Sequence, residues 1–169
     1  LGIQHIVIDL TSVGKYLKSS LTTNEEVPEG HYEAENMKST VVPHRNMMMA
    51  TITAALAESK NIYTIALGVH AGDHYIYPDC RPDFIDMLKY CLKTSSGGED
   101  VEILTPFLYI DKRAILSIGL SLRVPYEDTW TCYNGREYAC GKCGSCQERL
   151  ESFIKCNVDD PLQYESDEI

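Results

Sequence analysis

No stretch of the 169 residues approaches the ~18–20 consecutive apolar residues that a membrane-spanning helix needs. Basic residues are also in short supply: Lys and Arg number 15 against 25 Asp and Glu, a formal charge of −10. A broad nucleic-acid or anionic-membrane surface needs a basic face, so both are excluded as general partners. Part of the excess is local. Residues 157–169 carry Asp159, Asp160, Glu165, Asp167 and Glu168 with no base, half of the net charge. Leu1 opens no basic-then-apolar leader of the secretory kind, and no internal repeat is visible. With 44% hydrophobic and 24% charged residues the chain is too apolar to be disordered. Its length suits one domain, or one domain with a small appendage.

Cysteine is what the sequence has in excess. Seven is an odd number, and four of the seven crowd into Cys132–Cys146. A secreted disulfide scaffold is usually smaller, with its cysteines spread evenly. Clustered thiols in an acidic chain read instead as reduced metal ligands, and the expected compartment is the cytoplasm.

The remaining pattern alternates. His5–Leu10 and Ile62–Val69 read as strands buried on both faces, and Val101–Thr105 as a third. Val13, Tyr16, Leu17 and Leu21 share the spacing of one helical stripe. Residues 22–40, with Pro28 and Gly30, read as a long loop. A helix expected from Asn46 to about Ser59 is apolar almost all round and so expected to be buried, with Asn46 as its cap. Pro82 opens a helix to about Leu92, Asp111 caps another to about Leu120, and a short one falls near Gln147–Lys155. Strand and helix in alternation predict an α/β fold, a parallel sheet with helices on both faces.

Cys132, Cys140, Cys143 and Cys146 are spaced C-x7-C-x2-C-x2-C. Thiolates two residues apart can reach one ion, and Gly141 and Gly144 let the backbone fold around the sulfurs. Four sulfurs suit tetrahedral zinc, closed to water and therefore structural; an iron–sulfur cluster and metal-free cysteines stay open. Cys91 reads as core. In open α/β sheets ligands sit beyond the carboxyl ends of the strands, and three polar loops fall there. Val42–Asn46 offers Arg45, able to fork onto phosphate or carboxylate. Gly68–Arg81 gathers two His, two Asp, two Tyr, a Cys and an Arg within fourteen residues, too dense for solubility alone. Pro106–Lys112 ends on Lys112, either a solvated charge or a phosphate contact. His44, His70 and His74 match no helix-borne ligand pair beyond the His70/His74 spacing, and His5 reads as a strand residue. Ser96–Asp100 resembles a phosphate-loop signature, but it follows a helix and precedes a strand, so it reads as a helix-stop turn.

The motifs V-P-x-R-N (Val42, Pro43, Arg45, Asn46), Y-P-D-C-R (Tyr77–Arg81), T-P-x3-I-D-K (Thr105–Lys112) and T-C-Y-N-G…C-G-x-C-x-x-C (Thr131–Cys146) occur in one order. In order and spacing, from Leu1 to about Phe153, they resemble the 7-cyano-7-deazaguanine synthase family. The resemblance implies a Rossmann-like fold of the adenine-nucleotide α-hydrolase type over residues 1–124, a zinc knuckle and helix over 125–156, and an acidic tail over 157–169. It implies a ligase of queuosine and deazapurine biosynthesis. A 7-carboxy-7-deazaguanine carboxylate would be adenylated with ATP and Mg2+, attacked by ammonia to an amide, and dehydrated to the nitrile. Arg45 and Asn46 would bind nucleotide. Asp73, Tyr77, Asp79, Arg81 and Tyr133 would surround the deazapurine, with Asp79, Arg81 and Lys112 catalytic. The four cysteines would hold structural zinc, and the protein would act as a homodimer without direct contact to nucleic acid.

The family's S-G-G-x-D-S loop, which follows its first strand, does not occur in these residues. In the sheet order 3-2-1-4-5 that the resemblance implies, His5–Leu10 is the third strand, Ile62–Val69 the fourth and Val101–Thr105 the fifth. The chain is therefore expected to be a fragment or a partner-completed portion, which alone neither binds ATP productively nor catalyses. Three other readings stay open: a non-catalytic deazapurine-binding protein, an enzyme attaching a deazapurine to another acceptor, and a tRNA-thiolating relative, against which the −10 charge counts.

Overall fold

The computed structural model describes residues 2–96 and 101–165. Five helices occur among them, α1 Thr11–Gly14, α2 Arg45–Ser59, α3 Pro82–Ser95, α4 Lys112–Ser121 and α5 Gly144–Lys155, with strands β1 Thr64–Ala66 and β2 Glu102–Leu104. Short 3-10 turns occupy Glu35–Thr40, Ala71–His74, Pro78–Cys80 and Tyr126–Asp128. Among the described residues no helix is long and apolar enough to cross a membrane.

β1 and β2 pair in parallel, Thr64 against Glu102, Ile65 against Ile103 and Ala66 against Leu104. They are the two strands expected to be fourth and fifth, neighbours in the implied order. Their side chains alternate, and only Ile65 and Ile103 are buried. These meet Ala50, Ala54 and Ala57 of α2 and Leu88 and Leu92 of α3 in one core. A fully buried aliphatic side chain stabilises by roughly 1.5–3 kcal/mol, so this face holds the sheet. A second core of Met37, Val69, Ile76, Tyr77, Cys80, Ile85 and Leu108 anchors the polar loop that leaves β1. A third surrounds the cysteines.

Four expectations need correction. His5–Leu10 forms no strand: Ile6, Val7 and Ile8 are exposed and His5 with them, because extended backbone needs a ladder partner and none lies beside it among the described residues. The strands at 62–69 and 101–105 bury one face rather than two, since α2 and α3 cover the Ile65/Ile103 side. The helical stripe at 13–21 shortens to Thr11–Gly14; Ser19 and Ser20 beyond it instead hydroxyl-bond the Ser39 carbonyl, at 3.0 and 3.2 Å. α2 buries only Ala50, Ala54 and Ala57, while Met47 and Met49 face outward. Its alanines are what let the helix lie close on the sheet, while its larger apolar side chains Met48, Ile52 and Leu56 are only half-buried.

The other elements follow their sequence signals. Pro82 stands at the first position of α3, where its missing N–H costs nothing. Asp111 caps α4, its Oδ1 accepting from the Ala114 N–H at 2.8 Å. The turn expected at Ser96–Asp100 lies, after Ser96, outside the described residues, as do Asp167 and Glu168 of the acidic tail. The tail up to Glu165 folds back on the knuckle. The Ala139 N–H donates to Gln163 O and the Glu165 N–H to Ala139 O.

Candidate functional site

The loop after β1 descends into the second core and comes back as α3. Its Tyr77 is buried because the ring packs among Met37, Ile76 and Leu108 while its hydroxyl finds partners. The Thr40 hydroxyl donates to the Met37 carbonyl at 2.7 Å, so it receives its bond from Tyr77 Oη, 2.6 Å away. Tyr77 Oη then accepts from Tyr133 Oη at 3.0 Å. One hydroxyl has one proton. The chain therefore runs in a single direction, and Tyr133 Oη keeps its own lone pairs for the cavity. Burial, reinforced by Tyr77 and Asp73, raises the Tyr133 phenol well above its ordinary pKa, so it stays neutral. The Arg45 guanidinium lies 5.5 Å from the Tyr77 ring centroid, within cation–π range.

Asn46 is not the α2 cap. His44 is, with a left-handed φ of 54°, and no side chain caps the helix from within. The cap comes from across the loop: Asp79 Oδ2 accepts from the Asn46 N–H at 3.0 Å. Asn46 Nδ2 in turn donates to Asp79 O at 3.0 Å and to Cys80 Sγ at 3.2 Å. A carboxylate at a helix N-terminus is held by orphan amides and by the helix dipole, so Asp79 locks the Tyr77–Arg81 turn to α2. Arg81 is exposed and its Nε donates to His74 O at 2.9 Å. Cys80 is buried, and burial, with Asp73 and Asp79 nearby, pushes its thiol up to about 12. Cys91, expected in the core, is instead exposed on α3, so iodoacetamide at neutral pH is expected to label it and to spare Cys80. Peptide mass mapping checks this, and equal labelling of the two would mean that the loop opens.

Lys112, at the start of α4, ion-pairs with Glu148 Oε2 of α5. It is neither a free solvated charge nor open to phosphate in this arrangement. Glu148 and Arg149 are buried charges on the inward face of α5. Sequence reasoning passed over Glu148, although a charged residue inside an otherwise buried helical face was the signal available.

The four cysteines are buried, and their sulfurs all lie within 4.8 Å of one another. Zinc–thiolate bonds of about 2.3 Å in a tetrahedron separate the sulfurs by about 3.8 Å; Cys140 and Cys146 Sγ stand 4.0 Å apart. Backbone amides already point at the sulfurs. Cys140 N–H donates to Cys132 Sγ at 3.4 Å, and Lys142 and Cys143 N–H donate to Cys140 Sγ at 3.4 and 3.3 Å. Gly141, with φ +70°, makes that turn feasible. A hydrogen bond from the Cys146 thiol, aided by backbone N–H groups, holds Cys143 below the ordinary thiol range, and the same contact raises Cys146. Buried sulfurs converging with amide donors fit a thiolate-bound metal ion. At Gly144 a Cβ would come within 2.7 Å of Met37 Sδ and 3.2 Å of Tyr32 Cα. The knuckle therefore sits directly against the loop of residues 32–37.

Between them lies a cleft lined by Asp73, Tyr77, Tyr133 and Glu148, with Tyr32 and Gly72 among its walls. Of the expected substrate residues, Asp73, Tyr77 and Tyr133 meet here. Asp79 and Arg81 do not line it, and Arg45 reaches it only across the Tyr77 ring.

The sequence profile described as "Queuosine biosynthesis protein QueC" matches residues 1–157. The chain is 52% identical over 166 residues to 7-cyano-7-deazaguanine synthase 1 of Colwellia psychrerythraea, covering 98% of this chain and 76% of that protein. It is 50% identical over 167 residues to the 7-cyano-7-deazaguanine synthase of Marinomonas sp., with the same two shares. To the synthase of Hahella chejuensis it is 53% identical over 167 residues, 98% of this chain and 72% of that protein. The matched residues span both the α/β core and the cysteine knuckle, and the chain belongs to the queuosine biosynthesis protein QueC family.

Proposed function

We propose that the protein forms 7-cyano-7-deazaguanine from 7-carboxy-7-deazaguanine and ammonia at the expense of ATP, as a ligase of queuosine biosynthesis. The observation that carries this is the meeting of Asp73, Tyr77 and Tyr133 at one cavity between the loop after β1 and the knuckle, in a chain about half identical to proteins named for that product. The reaction needs three displacements. The carboxylate attacks the α-phosphorus of ATP and pyrophosphate leaves. Ammonia then attacks the acyl carbon; a C–N bond forms, the C–O bond to AMP breaks, and one proton is lost. The amide oxygen then attacks the α-phosphorus of a second ATP, pyrophosphate leaves, and the nitrile forms as the C–O bond breaks to release AMP and the nitrogen gives up its two protons.

In this reading the aromatic faces of Tyr77 and Tyr133 flank the heterocycle and Asp73 accepts from its N–H donors. Arg45, with Asn46, faces the nucleotide, and Arg81 and Lys112 supply cations to the carboxylate and phosphate once released from His74 O and Glu148. Asp79 holds the loop through the Asn46 amide. The knuckle binds zinc, which fixes Tyr133 and α5 rather than taking part in the chemistry. The S-G-G-x-D-S loop is not among residues 1–169, so the ATP-dependent steps are proposed for this chain together with whatever polypeptide supplies that loop, acting as a homodimer in the cytoplasm.

The test is mass spectrometry of products from the native assembly given the deazapurine acid, Mg-ATP and ammonium. The nitrile is expected only when all three are present. Deazapurine binding without any product would replace the synthase with a binding protein, and a deazapurine joined to another acceptor would replace it with a conjugating enzyme.

A further inference from the structure

We infer that Thr40 sets the hydrogen-bond sign of the cleft: it holds Tyr133 Oη as an acceptor and thereby selects a deazapurine that carries an exocyclic amino group. The inference rests on the proposed synthase reading and names what that site's choice of heterocycle depends on.

A tyrosine hydroxyl can present either a hydrogen or a lone pair, so its sign toward a ligand is decided by what stands behind it. The fixed groups of this cleft are mixed. Asp73 brings a carboxylate, which accepts, while the head of α5 brings Gly144 and Ser145, from a first helical turn whose N–H groups donate. Behind Tyr133 stands a chain of two further hydroxyls that ends at a carbonyl.

That carbonyl decides the direction. Met37 O cannot donate, and at 2.7 Å from Thr40 Oγ1 the two oxygens would repel without a proton between them. The Thr40 proton is therefore committed there. Tyr77 Oη must give its own to Thr40 at 2.6 Å, and Tyr133 Oη must give its own to Tyr77 at 3.0 Å. Thr40 is fully buried, so solvent does not compete for its hydroxyl. The end of the chain is also anchored. The Ser39 carbonyl beside it accepts from the Ser20 N–H at 2.9 Å and from the Ser19 and Ser20 hydroxyls, and the Met37 side chain lies against Gly144.

A 2-amino heterocycle beside Asp73 supplies the matching partner. A carboxylate takes a ring N–H and one amino hydrogen side by side, and the second amino hydrogen then needs an acceptor of its own. With the Tyr133 ring against the heterocycle, the lone pairs at its tip take that hydrogen. With the hydroxyl turned the other way, its proton would meet an N–H, and the amino group would be buried short of a partner. Thr40 touches no ligand. It is a positioning residue that acts through Tyr77 and Tyr133.

Isothermal titration calorimetry on the native assembly compares 7-carboxy-7-deazaguanine with the same acid lacking its amino group. The amino-bearing acid is expected to bind about ten- to hundredfold tighter, the range for a hydrogen bond to a charged group. Thr40→Val lets the Tyr77 proton turn to Tyr133, whose own proton then faces the amino group, and the preference should fall about tenfold. Thr40→Ser keeps the hydroxyl and should retain it. Tyr133→Phe removes the acceptor and should lower the preference about two- to tenfold, the range for a neutral hydrogen bond, which gives the reading if Thr40→Val does not fold. A Thr40→Val protein that binds both acids more weakly at an unchanged ratio would reduce Thr40 to packing and overturn the inference. So would a native protein indifferent to the amino group, or a Tyr133→Phe ratio equal to the native one. Nitrile formation in those cases would leave the synthase reading standing. A preference that Thr40 controls, with no nitrile formed from Mg-ATP and ammonium, would remove the synthase reading and keep the inference.

Discussion

Cys143→Ser is expected to lose one equivalent of zinc per chain and to melt the knuckle at temperatures where the native protein is folded. Structural zinc in small domains contributes apparent free energies of about 10–16 kcal/mol, against a total domain stability of roughly 5–15 kcal/mol. Nothing else in this part of the chain is large enough to replace it. The third core consists mainly of the cysteines, with Ala139 and partly buried Val27, Tyr133, Leu162 and Tyr164 around them. Trp130, the sole tryptophan, reports on the event directly because its Nε1–H donates to the Cys132 carbonyl at 2.9 Å. Metal analysis and tryptophan emission during chelator titration provide the check. Emission that ignores complete removal of the metal would mean that the sulfurs hold their places without an ion. Visible absorption from the purified protein would instead mark an iron–sulfur cluster.

The consequence reaches the site. Tyr133 follows Cys132 directly, and Glu148 follows Cys146 by two residues on α5. Two walls of the cavity thus depend on the knuckle. Deazapurine affinity is expected to fall in Cys143→Ser, beyond any loss of thermal stability.

Arg149→Ala is expected to destabilise by about 3–5 kcal/mol, the cost of removing one member of a buried ion pair. In a chain of this length that lowers Tm by roughly 6–20 °C. The guanidinium uses all five of its donors. Nε and Nη2 fork onto Asp160 at 2.6 and 2.7 Å, Nη1 reaches Thr129 Oγ1 at 2.7 Å and Thr129 O at 3.3 Å, and Nη2 reaches Tyr126 O at 3.1 Å. Both side chains of the pair are only 4% exposed. Truncation leaves the Asp160 carboxylate buried with only the Tyr164 hydroxyl and the Leu162 amide. Arg149→Lys recovers little, since one ammonium cannot serve three residues in a planar fork.

The same pair sets an acid limit. Burial works to raise the Asp160 pKa, but the hydrogen bonds from Arg149, Tyr164 and Leu162 prevail and hold it below the ordinary aspartate range. A carboxyl depressed in the folded state stabilises above its unfolded pKa of about 3.9 and loses that contribution as pH falls through the lower folded value. The native protein is therefore expected to lose stability steeply below about pH 4. Asp160→Asn should start less stable at neutral pH and show a shallower acid limb. Thermal melts across pH separate the two curves, and parallel curves would rule out this pair as the source.

Much of the molecule was legible beforehand for identifiable reasons. Asp111 and Pro82 carry helix starts in their own chemistry, and each begins a helix where its acceptor oxygen or missing N–H dictates. The C-x7-C-x2-C-x2-C spacing holds its sulfurs together by covalent geometry over a short reach, and they converge as spacing required. Long-range partners were not legible in this way. Asn46 has the residue type of a cap, yet Asp79, thirty-three residues away, is the group that reaches the helix N-terminus. His5–Leu10 has the composition of a strand, but strand formation is a property of two backbones, and composition speaks for one.

By itself, then, the sequence determined the α/β alternation, the four thiols and the polar loop after β1, because each rests on local periodicity, covalent reach or residue type. Only the tertiary structure decided that Lys112 meets Glu148, that Arg149 clamps the acidic tail, and that Asp79 reaches the amide at the head of α2. Those pairings arise from burial. A charged or polar group removed from water takes whichever complementary group the packed core brings to it, and that choice is made in three dimensions.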